Sequence, residues 1–275
     1  MSLRHIPASM DAASVAKVDA CLETVRRDEA VAIPLAIESG SRAWGFPSPD
    51  SDYDCRFVYV RRQAEYLSLF PKRDVIETPL EGGLDLNGWD IAKALKLLLK
   101  GNAVVIEWLT SPIVYCADEP FRNEFLALAN RVADRALVAR HYLHLGERQR
   151  HAYFADSDIV PLKKLFYALR PAAALRWLRL HPGEVVAPMH FPTLVVECDV
   201  PDDVQAIMTD LMARKAVTRE LGSGFLPQPI ASFVDEEFAR AHVIFPAVTR
   251  AASIEAKREA QDFFHAILER LGNAA

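Results

Sequence analysis

The residues best placed to do chemistry are Gly40-Ser41, then ten intervening residues, then Asp52-Tyr53-Asp54 at the head of the β-rich run YDCRFVYV. Side chains alternate along a strand, so Asp52 and Asp54 project from one face with Cα atoms about 6.6 Å apart, near enough to converge on a hard cation. Two such carboxylates repel each other unless a cation lies between them. Mg²⁺, singly or as a pair, removes that penalty, activates an attacking hydroxyl and neutralises phosphate oxygens, which is phosphoryl-type chemistry. The Gly-Ser pair complements it with backbone N–H groups, a hydroxyl donor and a glycine that lets a phosphate approach closely. Arg42, next in the chain, is a further phosphate-binding candidate. Taken singly, each piece is ordinary turn chemistry; strand, Gly-Ser, spacer and Asp-x-Asp strand in that order carry the reading.

These residues need a scaffold on both sides. VAIPLAI (31–37) is a short, partly β-branched apolar run that reads as a buried strand, and ESGSRAWGFPSPDSD (38–52) as a long ordered loop after it. A helix is expected over 11–26, from Val15, Val18, Cys21, Leu22 and Val25. VIETPL and LDLNGWDI, separated by Glu81-Gly82-Gly83, read as a hairpin. From Asp90 the pattern turns helical until Gly101-Asn102. Beyond Ser111-Pro112, helices are expected over 121–133, 135–155, 161–180, 203–219, 231–242 and 251–271. The expectation is an α+β protein, with a mixed α/β domain over 1–115 and a helical C-terminal domain over 116–275.

Composition narrows the classes. The chain has 275 residues, 51% hydrophobic and 25% charged, which suits a packed fold. Its net charge of −5 gives no global field for nucleic acid, so any phosphate-binding surface is local. Cys21, Cys55, Cys116 and Cys198 lie far apart, which argues against a zinc site and for reduced thiols in a cytoplasmic protein. The N-terminal residues lack an apolar export segment and the early apolar stretch is too short to span a membrane.

GSRAWGFPSPDSDYDCRFVYV resembles the nucleotidyltransferase motif of the DNA polymerase β superfamily, in which Gly-Ser precedes an Asp-x-Asp or Asp-x-Glu strand. More narrowly, SGSRAWG, SPDSDYD, LNGWDIAKAL, IEWLTSPIVY and KKLFYALRP together resemble the predicted bacterial nucleotidyltransferases, including a branch linked by gene context to RNA repair. Cys55, where a β-branched residue is usual, and GNAVV, where Ser-Asn-Pro is more frequent, depart from the pattern without touching an expected ligand. The resemblance implies a polymerase-β-like mixed sheet followed by a helical domain. It also implies transfer of a nucleoside monophosphate from an NTP to an acceptor hydroxyl, with two Mg²⁺ ions as cofactors. RNA, a protein hydroxyl and a small molecule remain open as acceptors, and a non-catalytic nucleotide-binding regulator on the same fold is the rival reading.

The resemblance assigns metal to Asp52 and Asp54, distal phosphates to Gly40 and Ser41, and requires a third carboxylate on a neighbouring strand. Asp85, between apolar residues in the second half of the hairpin, matches best; Asp90, which precedes an amphipathic run and suits a helix cap, competes, and Glu77 is weaker. Between Arg140 and His181 stand eight Lys/Arg against three Asp/Glu, a local excess of +5. Lys163, Tyr167 and Arg170, at i, i+4 and i+7, would share a helix face and offer charge to a triphosphate and an aromatic ring to a base or ribose. Lys93, Lys96 and Lys100 read as a solvated face, and His141, His144 and His151 as helix histidines without ligand partners. Trp89, Trp108 and Trp177 read as packing residues. Trp44, beside Ser41, could either cover a nucleotide or anchor its loop.

Overall fold

The computed structural model describes residues 2–78, 82–154, 159–247 and 251–272. Its N-terminal half is built on a six-stranded sheet of order β1-β6-β2-β3-β5-β4. The strands are β1 (Ser2–His5), β2 (Ala32–Glu38), β3 (Tyr53–Val60), β4 (Val75–Glu77), β5 (Leu84–Asp90) and β6 (Val114–Asp118). Every neighbouring pair is antiparallel except β3 and β5, which run parallel. The expected hairpin is present as β4 and β5, with Ile76 opposite Gly88; Glu81 of its turn lies outside the described residues.

Helix α1 (Ala12–Glu29) covers one face of this sheet. Asp11 caps it by accepting from the Ser14 N–H at 2.8 Å, and Val15, Val18, Leu22 and Val25 make its buried stripe. That stripe packs on Cys55, Phe57 and Tyr59 of β3 and on Leu84 and Leu86 of β5. Each fully buried side chain of this kind contributes about 1.5–3 kcal/mol. The Phe57 ring lies so close over Gly88 that a Cβ there would stand 2.0 Å from it.

On the other face, alternation sends Val58 and Val60 of β3 into a second apolar cluster with Leu35 and Ile37 of β2. Short helices α2 (Gly40–Ala43) and α3 (Gln63–Tyr66) follow β2 and β3, and α4 (Ile91–Leu98) follows β5. Helix α5 (Ala103–Thr110) was not expected: AVVIEWLT is buried almost all round and so lacks an amphipathic period. Next come α6 (Glu119–Val132) and α7 (Arg135–Phe154); residue 155, the last expected in α7, lies outside the described residues.

The segment expected as one helix over 161–180 divides into a strand β7 (Ile159–Pro161), a 3₁₀ turn (Leu162–Lys164) and α8 (Leu165–Leu180). Helices α9 (Phe191–Glu197) and α10 (Asp202–Val217) follow, then strand β8 (Ser223–Phe225), which pairs with β7, and finally α11 (Gln228–Ile244) and α12 (Ile254–Leu271). One apolar cluster runs from Leu35 and Ile37 through Phe121 and Phe125 of α6 to Phe166 of α8 and Phe233 of α11. Sheet and helices thus share a core, and the expected seam between 115 and 116 falls inside β6. Among the described residues, no helix is long and apolar enough to cross a membrane.

Candidate functional site

The parallel pairing of β3 with β5 sets Asp54 directly beside Asp85, on the sheet face that looks toward the helices. Asp52, immediately before β3, has an oxygen 3.3 Å from where a Cβ on Gly83 would be. Between the two paired aspartates lies Arg56, next on that face of β3. Its Nη2 donates to Asp85 Oδ2 at 2.6 Å and lies 3.4 Å from Asp54 Oδ1, while its Nη1 donates to the carbonyls of Cys55 and Asp85. Burial raises the Asp54 pKa; Arg56 offsets this, and the charges of Asp85 and Asp52 add to it.

Asp54 is held by its backbone as well. Its carbonyl accepts from the Ser39 N–H at 2.8 Å, and its N–H donates to Glu38 Oε1 at 2.9 Å. Glu38 is fully buried at the end of β2, where it also accepts from the Tyr115 hydroxyl, and burial pushes its pKa up to about 7.

Gly40 opens the turn α2 with φ +62°, and a Cβ there would lie 2.0 Å from Asp54 Oδ2. The glycine is therefore required twice, by its left-handed backbone and by the carboxylate against it. Ser41 Oγ donates to Ser51 Oγ at 2.8 Å, and Ser51 Oγ also meets the Ser48 hydroxyl and accepts from the Ser48 N–H. Arg42 is not on the cleft lining. It donates to the carbonyls of Ser51 and Asp52 and lies 4.1 Å over the Tyr53 ring, so it ties the loop together.

A cleft of about 610 Å³ opens between this loop and the helices, lined by Asp50, Asp52, Asp54 and Arg56 on the sheet side and by Lys163, Lys164, Tyr167, Lys215 and Arg219 opposite. The two walls are of opposite sign. Lys163 pairs with Glu220 at 3.1 Å; Lys164 lies 4.8 Å from the ring centres of both Tyr153 and Tyr167. Asp85 is not on the cleft wall; it pairs with Arg56, which is.

The expected shared face of Lys163, Tyr167 and Arg170 is not what forms. Lys163 belongs to the 3₁₀ turn, whose three-residue period breaks the helical register, and Tyr167 is on the cleft while Arg170 points inward. Arg170 is 6% exposed, pairs with the buried Glu107, and stacks 4.3 Å over Trp44. Glu107 also accepts from Tyr142 Oη at 3.1 Å. Trp44 is held by Arg170 and Tyr167, and it lines the cleft.

Asp90 is a cap. It accepts from the Ala92 N–H at 2.8 Å and from the Tyr66 hydroxyl at 3.0 Å, buried and far along β5 from Asp85. Glu77 pairs with Arg73 at the sheet edge, and Lys93 with Asp74. Lys96, Lys100 and His151 are exposed outside the cleft lining, and His144 meets Arg140. Sequence reasoning missed Glu38, Ser48, Ser51, Arg56, Lys215 and Arg219. Only the serines carried a signal, as part of the SPDSD turn.

The donor set of Asp52, Asp54 and Asp85 is all hard oxygen, which suits a divalent cation such as Mg²⁺. The side chains are not gathered into a closed nest, however: among the described residues no three His, Cys, Asp or Glu side chains converge in that way. Arg56 supplies the positive charge between Asp54 and Asp85.

The match of the chain to known proteins is consistent with this geometry. A protein of Bacillus subtilis (strain 168), described as the uncharacterized protein YcgL, is 36% identical over 219 residues, covering 80% of this chain and 83% of that protein. A family model described as the RNA repair pathway DNA polymerase beta family matches residues 15–265, which takes in the aspartates, the Gly-Ser turn and the cationic wall. With the mixed sheet, the Gly-Ser turn against Asp54 and the match over nearly its whole length, the chain belongs to the RNA repair pathway DNA polymerase beta family.

Proposed function

We propose that this protein is a nucleotidyltransferase that moves a nucleoside monophosphate from an NTP to an acceptor hydroxyl. The observation that carries the reading is the pairing of walls: Asp52 and Asp54, at the head of β3, face lysines across one cleft, with Asp85 of β5 paired beside Asp54. A metal-bridged triphosphate needs that arrangement, with carboxylates for the metal and cations for the phosphate charge left over. The acceptor oxygen bonds to the α-phosphorus, the bond from that phosphorus to the bridging oxygen of the β-phosphate breaks, and pyrophosphate leaves with the electron pair.

Asp52 and Asp54 would hold divalent metal, with Asp85 completing the set, and Mg²⁺ when bound would neutralise phosphate oxygens and acidify the attacking hydroxyl. Asp85, beside Asp54, is the group to take the hydroxyl proton. Gly40 leaves room for phosphate, and the hydroxyls of Ser41, Ser48 and Ser51 offer donors along it. Lys163 and Lys164 meet charge on the distal phosphates, and Tyr167 offers an edge for base or ribose. Trp44, pinned by Arg170, forms a fixed wall. Holding the reactants in line is itself worth several orders of magnitude in rate.

The family description supports an RNA end as the acceptor. Incubating the protein with each α-labelled NTP, Mg²⁺ and either total RNA, protein or a small-molecule extract tests this. Label on RNA that survives protease and yields to nuclease supports the RNA reading. Label on protein or a small molecule moves the acceptor but keeps the reaction class, and tight NTP binding without labelling anywhere supports the regulatory alternative.

A further inference from the structure

Glu38, the last residue of β2, is a fully buried carboxylate that the proposed chemistry leaves without a part. Hydrogen bonds occupy both its oxygens: Oε1 accepts from the Asp54 N–H at 2.9 Å, and Oε2 from the Tyr115 hydroxyl. Tyr115 belongs to the apolar cluster under α1, so Glu38 reaches Asp54 from the sheet face opposite the cleft. Burying a carboxylate is costly, and leucine or methionine would fill a similar volume without that cost.

The ladder between β2 and β3 shows what the carboxylate replaces. Its register pairs Ile37 with Arg56 and Glu38 with Cys55, which sets Ser39 opposite Asp54. A hydrogen-bonded pair in an antiparallel ladder exchanges two N–H···O bonds. One of them is made, from the Ser39 N–H to the Asp54 carbonyl at 2.8 Å. The reciprocal bond, from the Asp54 N–H to the Ser39 carbonyl, is not, because the chain leaves the ladder at Gly40, whose φ of +62° opens the turn α2. Glu38 Oε1 takes that N–H instead. The planar peptide groups on both sides of the Asp54 Cα are thereby fixed, and with them the direction of its Cβ. Gly40, against Asp54 Oδ2, leaves room for the carboxylate at the end of that bond.

We propose that Glu38 is a positioning residue for nucleotidyl transfer: its carboxylate oxygen stands in for the Ser39 carbonyl, closes the ladder beneath Asp54 and holds the Asp54 carboxylate in place on the cleft. The role rests on the transfer reading above. It belongs to the position of the oxygen and not to its charge, since a neutral amide oxygen at the same reach accepts the same bond. Glutamine keeps that reach. Aspartate keeps the charge but draws the oxygens back by about 1.5 Å, out of hydrogen-bonding range.

The test compares Glu38→Gln, Glu38→Asp and Ser111→Ala in the full chain, the last removing a bond to the Glu38 carbonyl in the same buried spot. Steady-state transfer from α-labelled NTP gives kcat and KM, hydrogen exchange followed by NMR gives the protection of the Asp54 amide, and thermal melting gives stability. Glu38→Gln is expected to keep kcat within about 3-fold of wild type, with the Asp54 amide protected. Glu38→Asp is expected to lower kcat by about 100-fold, the effect of misplacing a reacting group by about 1 Å, with KM for the NTP within about 3-fold and the Asp54 amide open to exchange. Ser111→Ala is expected to lose stability and keep kcat. A loss of transfer in Glu38→Gln as deep as in Glu38→Asp overturns the assignment while the transfer reading stands. Full transfer in Glu38→Asp, or a fall of kcat in Ser111→Ala, does the same. Should Glu38→Asp not fold, the other two variants still decide the matter. A wild type that transfers no nucleotide overturns the transfer reading and this role with it.

Discussion

Gly40→Ala separates a geometric requirement of the site from a general need for glycine. At Gly40 the backbone is left-handed, φ +62°, and an alanine Cβ would stand 2.0 Å from Asp54 Oδ2. Left-handed backbone costs a non-glycine residue about 1–2 kcal/mol. The contact adds a displacement: to bring the pair out to about 3 Å, the carboxylate must move by about 1 Å, and misplacing a reacting group by that much costs about 100-fold in rate. Gly82 is the internal control, since it also has a positive φ of +57° but nothing within 4 Å of its would-be Cβ. Gly82→Ala bears the backbone strain alone. Both variants should therefore lose a few degrees of melting temperature, while Gly40→Ala alone should lose about two orders of magnitude in nucleotide transfer. A Gly40→Ala protein with transfer within about 3-fold of Gly82→Ala would refute the claim that the Asp54 carboxylate, in the position that Gly40 permits, does the chemistry.

Asp54→Asn should abolish transfer and leave melting unchanged or higher without divalent metal, because it removes a charge crowded by Asp85 and Asp52, as thermal denaturation in EDTA will show. Arg56→Met should tighten Mn²⁺ binding, followed by electron paramagnetic resonance, because the guanidinium occupies the space between Asp54 and Asp85; unchanged or weaker binding would make Arg56 a support for Asp85 instead. Asp90→Ala should cost about 1–2 kcal/mol in denaturant unfolding through the lost cap and keep transfer activity. Arg170→Met should cost about 3–5 kcal/mol by leaving Glu107 buried and unpaired, a loss of stability that an exposed phosphate-binding arginine would not cause. For pH, the Lys215 pKa is lowered to about 8 from 10.5, so between these values the unfolded chain holds the extra proton and stability rises with pH. Relative to Lys215→Met, wild type should therefore gain stability from pH 8 to 10.5 in urea titrations.

The sequence exposed the acidic half of the site and hid most of the basic half, for physical reasons. Asp52 and Asp54 are local: strand alternation alone puts them on one face, and the hairpin of β4 and β5 with the resemblance pointed to Asp85. Asp90 was likewise legible as a cap, since a cap is defined by its immediate neighbours. Arg170 was misjudged because its partner Glu107 is 63 residues away and sits in α5, a helix whose apolar, β-branched sequence carries no helical period. Lys163 lies in the 3₁₀ turn before α8 and not in the helix itself, yet it lines the cleft with Tyr167. Lys215 lies in a polar-faced helix where nothing local distinguishes a buried lysine from a solvated one; only the approach of Phe46, 169 residues earlier in the chain, does so. Glu38 is a last strand residue, and its burial depends on Tyr115 and the Asp54 N–H meeting it in the sheet.

In the proposed reaction, Asp52 and Asp54 with Asp85 of β5 direct attack at the α-phosphorus of a nucleoside triphosphate. Parallel incubations with α-labelled and γ-labelled NTP, in Mg²⁺ and with the acceptor fraction that labels best, measure it most directly. The α-label is expected to become covalently attached to the acceptor, the γ-label to leave in pyrophosphate, and Asp54→Asn to do neither. Transfer of the γ-label to an acceptor, or transfer of the α-label undiminished in Asp54→Asn, would contradict it.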